Sequence, residues 1–342
     1  MARSGREWQP ATPASPGRIR AARQLAKRAL RERSRQFLAE GPQAVREALA
    51  GLTASAGLPG GPAGPPGDRP GSAGPSLIRE LFVTAQARAR HLDLVDAVRR
   101  TGVPVHEVSG EIMADLAQTV TPQGLLAVCP YLDVPLPDLL AAGPRLVVVL
   151  ANVRDPGNAG TVLRSADAAG AGGVIFAGAS VDPYNSKCVR SSAGSLFHLP
   201  VVTGVPVTEA VAALRAAGLV VLAADGSGPA GLDDLADDGS LGRPTAWLFG
   251  NEAWGLPADL VGLADTAVAV PIYGRAESLN LAAAAAVCLY ASARAQRREP
   301  DRAGDRDPGD RQRGSSQFGL LPDRSGVSPS TTDPLGSSHV AS

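Results

Sequence analysis

The 342-residue sequence predicts an α/β protein in which a small α/β domain precedes a larger domain built on a parallel sheet. Two observations support this prediction. From residue 81 onward, short apolar runs alternate with stretches of helical periodicity. The apolar run at residues 146–150 is also continuous, which is typical of a strand buried on both faces of a parallel sheet.

The small domain is predicted to span residues 19–130. Residues 1–18 are polar and contain proline, so we expect them to be disordered. A helical pattern covers residues 19–49, and a Gly/Pro-rich stretch without a Gly-X-Y period at residues 54–75 predicts a flexible insertion. The remaining segments alternate between strand and helix patterns: strands at 81–83, 103–108 and 124–128, and helices at 92–100 and 110–118.

The larger domain is predicted to span residues 146–296, after a linker at residues 131–145 that is rich in proline and leucine. Strand and helix patterns alternate through it: strands at 146–150, 174–177, 219–223, 246–249 and 267–270, and helices at 159–169, 207–217 and 279–295. The last helix is rich in alanine and leucine, so it must pack in the core or against another subunit. Residues 297–342 are charged and then rich in Ser, Pro and Gly, which predicts a disordered tail.

The composition argues against several classes of protein. The three cysteines, Cys129, Cys188 and Cys288, are far apart and lack metal-ligand spacing, which argues against a disulfide framework and a metal cluster. No apolar run is long enough to span a membrane, and no secretory signal pattern is present. We therefore expect a cytoplasmic protein with no metal and no membrane partner.

The charge of the chain is unevenly distributed. The net charge is zero, but the first forty residues carry ten lysines and arginines against three glutamates. A local basic segment can contact phosphates even when the whole chain is neutral. The sequence therefore allows a nucleic-acid partner at its N-terminal end.

Three segments of the larger domain place polar residues directly after predicted strands, where an open α/β sheet binds its ligands. In the first, the strand at 146–150 leads into a turn that contains Asp155, followed by Asn158 and Arg164. Asn158 is expected at or near the N-cap of the next helix, and Arg164 lies about one and a half turns further on. An ordinary βα loop with a capping Asn and a surface Arg explains this segment equally well.

The other two segments follow the strands at 246–249 and 267–270. Gly250, Asn251 and Glu252 come directly after the first of these strands, and Gly250 is expected to let a ligand approach the backbone. A tight turn with a solvated Glu252 is the alternative. After the second strand, Ser278 and Asn280 open the alanine-rich helix. Ser278 is expected to be its N-cap, whereas Asn280 in the first turn has no comparable structural explanation.

Taken together, these segments resemble the SpoU, or TrmH-like, family of SPOUT RNA 2′-O-ribose methyltransferases over residues 145–295. The matching residues occur in the family's order: Asn158, Gly160 and Arg164; Gly250, Asn251, Glu252 and Gly255; and Pro271, Ser278, Leu279 and Asn280. Residues 190–194 are also similar to the family. Residues 35–41 resemble the opening of the family's substrate-binding domain, which has an L30e-like fold, whereas the insertion at 54–75 departs from the family pattern.

The resemblance implies a fold, a cofactor and a substrate. The larger domain would form a deep trefoil knot, and the protein would be a homodimer with its sites near the interface. S-adenosylmethionine would be the methyl donor, bound mainly by backbone groups around Gly250, Val270, Ile272 and Leu279, with the loop after Ala224 closing the pocket. The substrate would be a ribose 2′-hydroxyl of structured RNA, with ribosomal RNA expected ahead of transfer RNA because of the additional N-terminal domain.

The resemblance also implies that Arg164 carries the chemistry, surrounded by Asn158, Glu252, Ser278 and Asn280. Two roles for Arg164 are open. It could act as the base for the hydroxyl, although an arginine stays protonated in proteins. It could instead hold a neighbouring phosphate and stabilise the developing alkoxide. Glu252 and Asn280 could orient it in either role.

Two other functions are compatible with the pattern. An RNA-binding protein of the same fold that has lost catalysis would keep the domains but transfer no methyl group. The βαβ pattern also suggests a nucleotide-dependent oxidoreductase, but the glycine spacing after residue 150 is not the Gly-x-Gly-x-x-Gly of dinucleotide-binding sites. Methyl transfer from labelled cofactor to RNA, and titration with NAD, distinguish the three functions.

Overall fold

The computed structural model of the protein describes residues 12–50 and 77–298. Within these residues the chain forms two β-sheets covered by helices, which confirms the predicted α/β class. The predicted insertion at 54–75 and residues 299–342 of the predicted tail lie outside the described residues. None of the helices in the described ranges is long and apolar enough to cross a lipid bilayer.

The first sheet has five strands of mixed direction. In chain order they are β1 (Thr12–Pro13), β2 (Gln36–Glu40), β3 (Glu80–Val83), β4 (Val105–Glu107) and β5 (Leu125–Pro130). Their order across the sheet is β1-β4-β3-β5-β2, with β3 parallel to β4 and β5 antiparallel to both β3 and β2. Six helices accompany it: α1 (Pro16–Gln24), α2 (Arg28–Ser34), α3 (Pro42–Ala50), α4 (Ala85–Arg90), α5 (Leu92–Arg100) and α6 (Gly110–Ala117).

The N-terminal segment differs from the prediction in two ways. Helix α1 begins at Pro16 behind the N-cap Ser15, so the predicted disorder of residues 1–18 is wrong for residues 12–18, and residues 1–11 lie outside the described residues. The helix predicted over 19–49 is divided by β2. Helix α2 ends at Ser34 and is capped by Arg35, which has a φ of 53°, and Phe37 is then buried as β2 pairs with β5. Pairing along the sheet edge therefore decides the conformation of a segment whose local pattern is helical.

The second sheet has seven strands, and all of its described pairings are parallel. In chain order they are β6 (Leu146–Ala151), β7 (Gly173–Ala177), β8 (Val201–Val205), β9 (Val220–Ala224), β10 (Ala230–Gly231), β11 (Thr245–Phe249) and β12 (Thr266–Ala269), arranged as β10-β12-β9-β11-β6-β7-β8. Every residue of β6 is buried, as the continuous apolar run at 146–150 predicted, and so is every residue of β7 and β11.

Seven helices belong to this part of the chain: α7 (Leu136–Ala141), α8 (Pro156–Ala169), α9 (Ser186–Ser191), α10 (Val207–Ala216), α11 (Leu232–Asp237), α12 (Ala258–Val261) and α13 (Leu281–Arg298). The predicted linker at 131–145 is not a bare connection, because it contains α7. Leu136 and Leu139 of α7 are buried in the core of the second sheet. Helix α13 continues to Arg298, so the predicted tail begins inside a helix.

The two sheets are joined by a shared core, which we call the seam. The ring of Phe37 in β2 lies 4.8 Å from that of Tyr184, and Tyr184 stacks on Tyr131 at 3.8 Å. Arg31 of α2 makes a buried ion pair with Asp182, which precedes α9, at 2.6 Å. The seam combines apolar packing with a buried charge pair, so we expect the position of the first sheet relative to the second to be closely defined.

Candidate active site

The turns that follow β6 and β11 lie side by side. These strands are adjacent and parallel, with Leu150 paired with Phe249 at their ends. Loops at the carboxyl ends of neighbouring parallel strands meet at one edge of the sheet. The sheet topology therefore brings the first and second sequence motifs together.

Helix α8 begins at Pro156, and Asn158, predicted at or near its N-cap, lies in its first turn. Asp155, and not Asn158, is the N-cap: its carboxylate accepts a hydrogen bond from the backbone N–H of Asn158 (2.8 Å), and Pro156 is the first helical residue. The sequence Asp155-Pro156 is a recognised signal for a helix N-terminus and could have predicted where α8 begins. Lys187 of α9 donates to the other oxygen of Asp155 at 2.7 Å, and this bond, with backbone N–H groups, lowers the pKa of Asp155.

Glu252 in the second motif holds the turn that begins α8. Its carboxylate accepts hydrogen bonds from the backbone N–H groups of Arg154 (3.2 Å) and Asp155 (3.0 Å). The side-chain amide of Asn158 also donates to it at 3.4 Å. Glu252 is exposed, as in a simple tight turn, but its carboxylate is also engaged with the backbone of the first motif.

Asn280 connects the third motif to the same group. Its amide donates to the side-chain oxygen of Asn158 at 3.0 Å. Its own oxygen accepts from the backbone N–H of Ala282 at 2.9 Å, at the start of α13. Asn280 is therefore the residue that caps α13, and the prediction that Ser278 is the N-cap is wrong. Glu252, Asn158 and Asn280 form one hydrogen-bonded series within a single chain, which we call the polar series.

A cavity of about 360 Å³ lies against the polar series. It is bounded by the loop after β9, the turn after β11 and the segment between β12 and α13. Glu252 and Ser278 line it. The four residues predicted to contact a cofactor line it as well: Gly250, Val270, Ile272 and Leu279. Asp225 and Gly226 line it from the loop after Ala224, where the sequence placed the closing element.

Gly250 is required for a reason other than the expected one. A Cβ atom on Gly250 would overlap the backbone of Gly255 and Leu256, so the chain itself fills the space that a side chain would need. Asn251 closes the turn by exchanging backbone hydrogen bonds with Gly255 (2.9 and 2.8 Å) and by donating its amide to the carbonyl of Asn152 at 2.9 Å. Asn152, which has a φ of 58°, holds this turn through that carbonyl, and nothing in the sequence marked it as a residue of the site.

Arg164 is not joined to the polar series within one chain. It lies six residues after Asn158 in α8, which places it about 9 Å further along the helix axis and about 240° around it. Its side chain is exposed, and it has no hydrogen-bond or ion-pair partner within residues 12–50 and 77–298. The structure therefore brings together Asn158, Glu252 and Asn280, places Ser278 in the neighbouring cavity, and leaves Arg164 on another face of the helix.

The polar series can orient a polar ligand beside the cavity. Three N–H groups engage Glu252, so its carboxylate fixes the turn, and the side-chain amides of Asn158 and Asn280 hydrogen-bond each other in a fixed arrangement next to it. In the part of the chain that the structure describes, no three His, Cys, Asp or Glu side chains are close enough together to hold a metal ion.

A larger and more open groove, of about 1200 Å³, lies beside the first sheet. It is lined by residues that follow β3 and β4, including Arg88, Glu107 and Ser109. Arg88 is paired with Glu107 there at 3.3 Å. None of the predicted site residues lines this groove, so the smaller cavity is the candidate site.

Comparison with protein families gives two matches. Residues 145–290 match the SpoU rRNA Methylase family, and residues 72–134 match a family described as RNA 2′-O ribose methyltransferase substrate binding. The first range contains the polar series and the cavity, and the second contains three strands of the first sheet.

Individual relatives and solved structures agree with these matches. The chain is 34% identical over 216 residues to a 23S rRNA (guanosine(2553)-2′-O)-methyltransferase of Bacillus subtilis, covering 63% of this chain and 81% of the relative. It is 31% identical over 229 residues to a 23S rRNA (guanosine-2′-O-)-methyltransferase of Bordetella pertussis, covering 64% and 90%. It is also similar to an AdoMet-bound rRNA methyltransferase from Sinorhizobium meliloti, with a TM-score of 0.64 and 28% identity over 83% of this chain and 97% of that chain.

Proposed function

The chain belongs to the SpoU rRNA methylase family, and we propose that it transfers a methyl group from S-adenosylmethionine to a ribose 2′-hydroxyl of ribosomal RNA. The observation that supports this proposal most directly is the polar series of Glu252, Asn158 and Asn280. It lies against a cavity lined by the residues that are expected to contact the cofactor.

The cavity suits S-adenosylmethionine in size and charge. A volume of about 360 Å³ lies within the range of small-molecule sites. Its lining includes the carboxylates of Asp225, Glu252 and Glu277, which favour a ligand that carries a positive sulfur and an ammonium group. When bound, the cofactor supplies a methyl group that is already activated by the positive sulfur.

The chain's own residues then have to position the ribose. Ser278 lines the cavity, and the amides of Asn158 and Asn280 are linked to Glu252 of its lining, which keeps the turn before Asn158 in place. Holding a hydroxyl in line with a bound methyl group can lower the barrier by roughly 7–11 kcal/mol. We assign these residues to positioning of the ribose hydroxyl.

Arg164 is proposed to enter the site of a second copy of the chain in a homodimer. Helix α13 packs along α8 and leaves Val287 and Tyr290 exposed (44% and 54%), so an apolar surface lies next to the helix that carries Arg164. Covering that surface with a second copy would remove apolar area from water. The unpartnered guanidinium of Arg164 could then hold a phosphate beside the target ribose and stabilise the developing alkoxide in the partner's site.

The two sheets are proposed to divide the work. Residues 19–130 would form an L30e-like RNA-binding domain, and residues 146–296 would form the methyltransferase domain with the trefoil knot of the SPOUT fold. Exposed cations on α1 and α2 and between them, Arg20, Arg33 and Lys27, supply positive charge for RNA phosphates. Modification of ribosomal RNA also fits the cytoplasmic location expected from the sequence.

The test is methyl transfer from radiolabelled S-adenosylmethionine to unmodified 23S ribosomal RNA, 16S ribosomal RNA and bulk transfer RNA transcribed in vitro. We expect label in 23S RNA, at a position that resists alkaline hydrolysis because its 2′-oxygen is methylated. Ribose-methylation mapping in cells that lack the gene should show the loss of the same position.

The other outcomes separate the alternatives. Label in transfer RNA alone would replace the proposed substrate and keep the chemistry. Binding of RNA and cofactor with no transfer to any of the three RNAs would identify an RNA-binding relative without catalysis. Binding of NAD in place of S-adenosylmethionine would support an oxidoreductase and overturn the proposal.

A further inference from the structure

Trp254 is an exposed aromatic residue at the edge of the candidate site. It is 57% exposed, whereas Trp247 is fully buried and donates its indole N–H to Ser292 at 2.9 Å. Aromatic residues make up only 4% of the chain. An exposed indole in such a chain needs an explanation other than core packing.

The turn that carries Trp254 is rigidly closed. Asn251 and Gly255 exchange backbone hydrogen bonds across it, and the side chain of Asn251 accepts from the backbone N–H of Ala253 at 2.9 Å. Gly255 adopts a φ of 67°, which closes the turn. Because Ala253 and Gly255 both line the cavity, Trp254 is held at its rim.

Arg154 completes a pair with this indole. Its guanidinium carbon lies 5.9 Å from the centre of the Trp254 ring, within the range of a cation–π contact. Arg154 is exposed, and its guanidinium has no hydrogen-bond or ion-pair partner in the described ranges. Its backbone N–H is fixed by Glu252 at 3.2 Å, so the same carboxylate that organises the polar series also positions this arginine.

We propose that Trp254 and Arg154 form a stacking platform for an unpaired nucleobase of the RNA substrate, next to the methylated ribose. This inference rests on the proposed function. Proteins that read single-stranded or looped RNA stack its bases on aromatic rings and on guanidinium planes. The platform offers both surfaces, and the cation also attracts the phosphate of the same nucleotide.

The surroundings favour RNA over a second protein copy as the occupant. The neighbours of Trp254 in the turn, Ala253 and Gly255, are small, and the exposed apolar residues Ile272 and Leu279 line the cavity, where the cofactor is proposed to bind. The exposed apolar residues Val287 and Tyr290 lie on α13, a different element. A positive charge over an exposed ring at the rim of the cavity is complementary to a nucleotide, which carries both a base and a phosphate.

The first experiment measures RNA kinetics with 23S ribosomal RNA transcribed in vitro. We expect Trp254→Ala to raise the KM for RNA ~10-fold, and Trp254→Phe, which keeps a ring, to stay within about 3-fold of wild type. Arg154→Met should raise the KM more than Arg154→Lys. The affinity for S-adenosylmethionine should stay within about 2-fold in all four variants, and Glu209→Ala, at an exposed position of α10 outside both the site and the proposed RNA-binding domain, is the control.

The second experiment observes the stacking directly by tryptophan fluorescence. In a Trp8→Phe background, only Trp247 and Trp254 emit. Titration with single-stranded decaadenylate should quench the exposed indole, and the additional Trp254→Phe substitution should abolish the quenching while the buried Trp247 still emits. A fully paired RNA duplex of the same length should quench less.

The outcomes separate this inference from the proposed function. Efficient methyl transfer with an unchanged KM in Trp254→Ala would overturn the platform and leave the activity in place. Quenching without methyl transfer to any RNA would keep the platform and overturn the activity. Dissociation of a dimer by Trp254→Ala, measured by sedimentation, would show that the indole contacts a second copy and would overturn the inference.

Discussion

The seam between the two sheets and the polar series of the candidate site use similar residue types in opposite ways. In the seam, Arg31 and Asp182 pair at 2.6 Å with side chains only 5% and 8% exposed. In the polar series, Glu252, Asn158 and Asn280 are joined by hydrogen bonds at the exposed edge of a sheet. The charges of the seam are buried away from water, whereas the polar groups of the site remain accessible to solvent and ligand.

This difference predicts which property of the protein a substitution in each region should change. Breaking a buried charge pair leaves one charge without compensation, so it changes the free energy of unfolding. Exposed polar contacts contribute little to that free energy, and their value lies in the geometry that they hold. Substitutions in the seam should therefore alter stability, and substitutions in the site should alter turnover.

The largest expected effect is at Arg164. We expect Arg164→Ala to lower kcat about 100- to 1000-fold, because it removes the proposed donor to the developing alkoxide. The free energy of unfolding should not change, since the side chain is exposed and unpartnered within the described residues. Single-turnover methyl transfer and urea unfolding check the two parts.

Two further measurements test which property of Arg164 matters and whether it acts in the partner's site. Arg164→Lys keeps the charge but loses the planar fork of donors, so its turnover should lie between those of wild type and Arg164→Ala. Mixing Arg164→Ala with Asn280→Ala should restore activity in the mixed dimer, because one of its two sites then receives both intact residues. Normal turnover in Arg164→Ala would remove this residue from the mechanism.

The next largest effect is at the seam. Arg31→Met leaves Asp182 buried without its partner, and it also removes the hydrogen bonds that Arg31 donates to the carbonyls of Leu25 and Ala26 (both 2.8 Å). We expect a loss of roughly 3–5 kcal/mol in the free energy of unfolding, measured in urea. Adding Asp182→Asn should recover part of it, and a fully additive double variant would argue against the pairing.

The parallel sheet was predictable from sequence because its strands are buried on both faces. The run at residues 146–150 has no polar position, and the structure extends it by one residue as β6. Strand β2 was not predictable in the same way, because helical periodicity continues from α2 into it. Its conformation is decided by pairing with β5, about ninety residues later in the chain.

The sequence predicted which residues meet at the candidate site better than it predicted the structural role of each one. Strand topology brings the motifs together, but the local sequence does not say which polar residue caps each helix. Asp155 caps α8 three residues before Asn158, and Asn280 takes the cap expected of Ser278, because of where α8 and α13 begin. The seam was invisible in sequence, since Arg31 and Asp182 are 151 residues apart and neither belongs to a motif.

The smallest expected effect is a pH dependence of stability at His198, which joins the two sheets from the solvent side. Its Nδ1 lies 2.7 Å from a carboxylate oxygen of Asp167 in α8, and its Nε2 lies 3.0 Å from one of Glu47 in α3. Burial alone would lower the pKa of His198, but the bonds to the carboxylates of Glu47 and Asp167 outweigh it, and the pKa is raised. The folded state therefore favours the protonated imidazole.

A raised pKa in the folded state fixes the direction of the effect. The stabilisation is fully present below the pKa of an unfolded histidine, about 6.5, and it is lost as the pH rises through the folded-state value. Because the side chain is 40% exposed, solvent screening limits it to ~0.5 kcal/mol. Urea unfolding of wild type and His198→Gln should differ by this amount at pH 5.5 and converge at high pH. A difference that is the same at every pH would mean that His198 contributes packing and not charge.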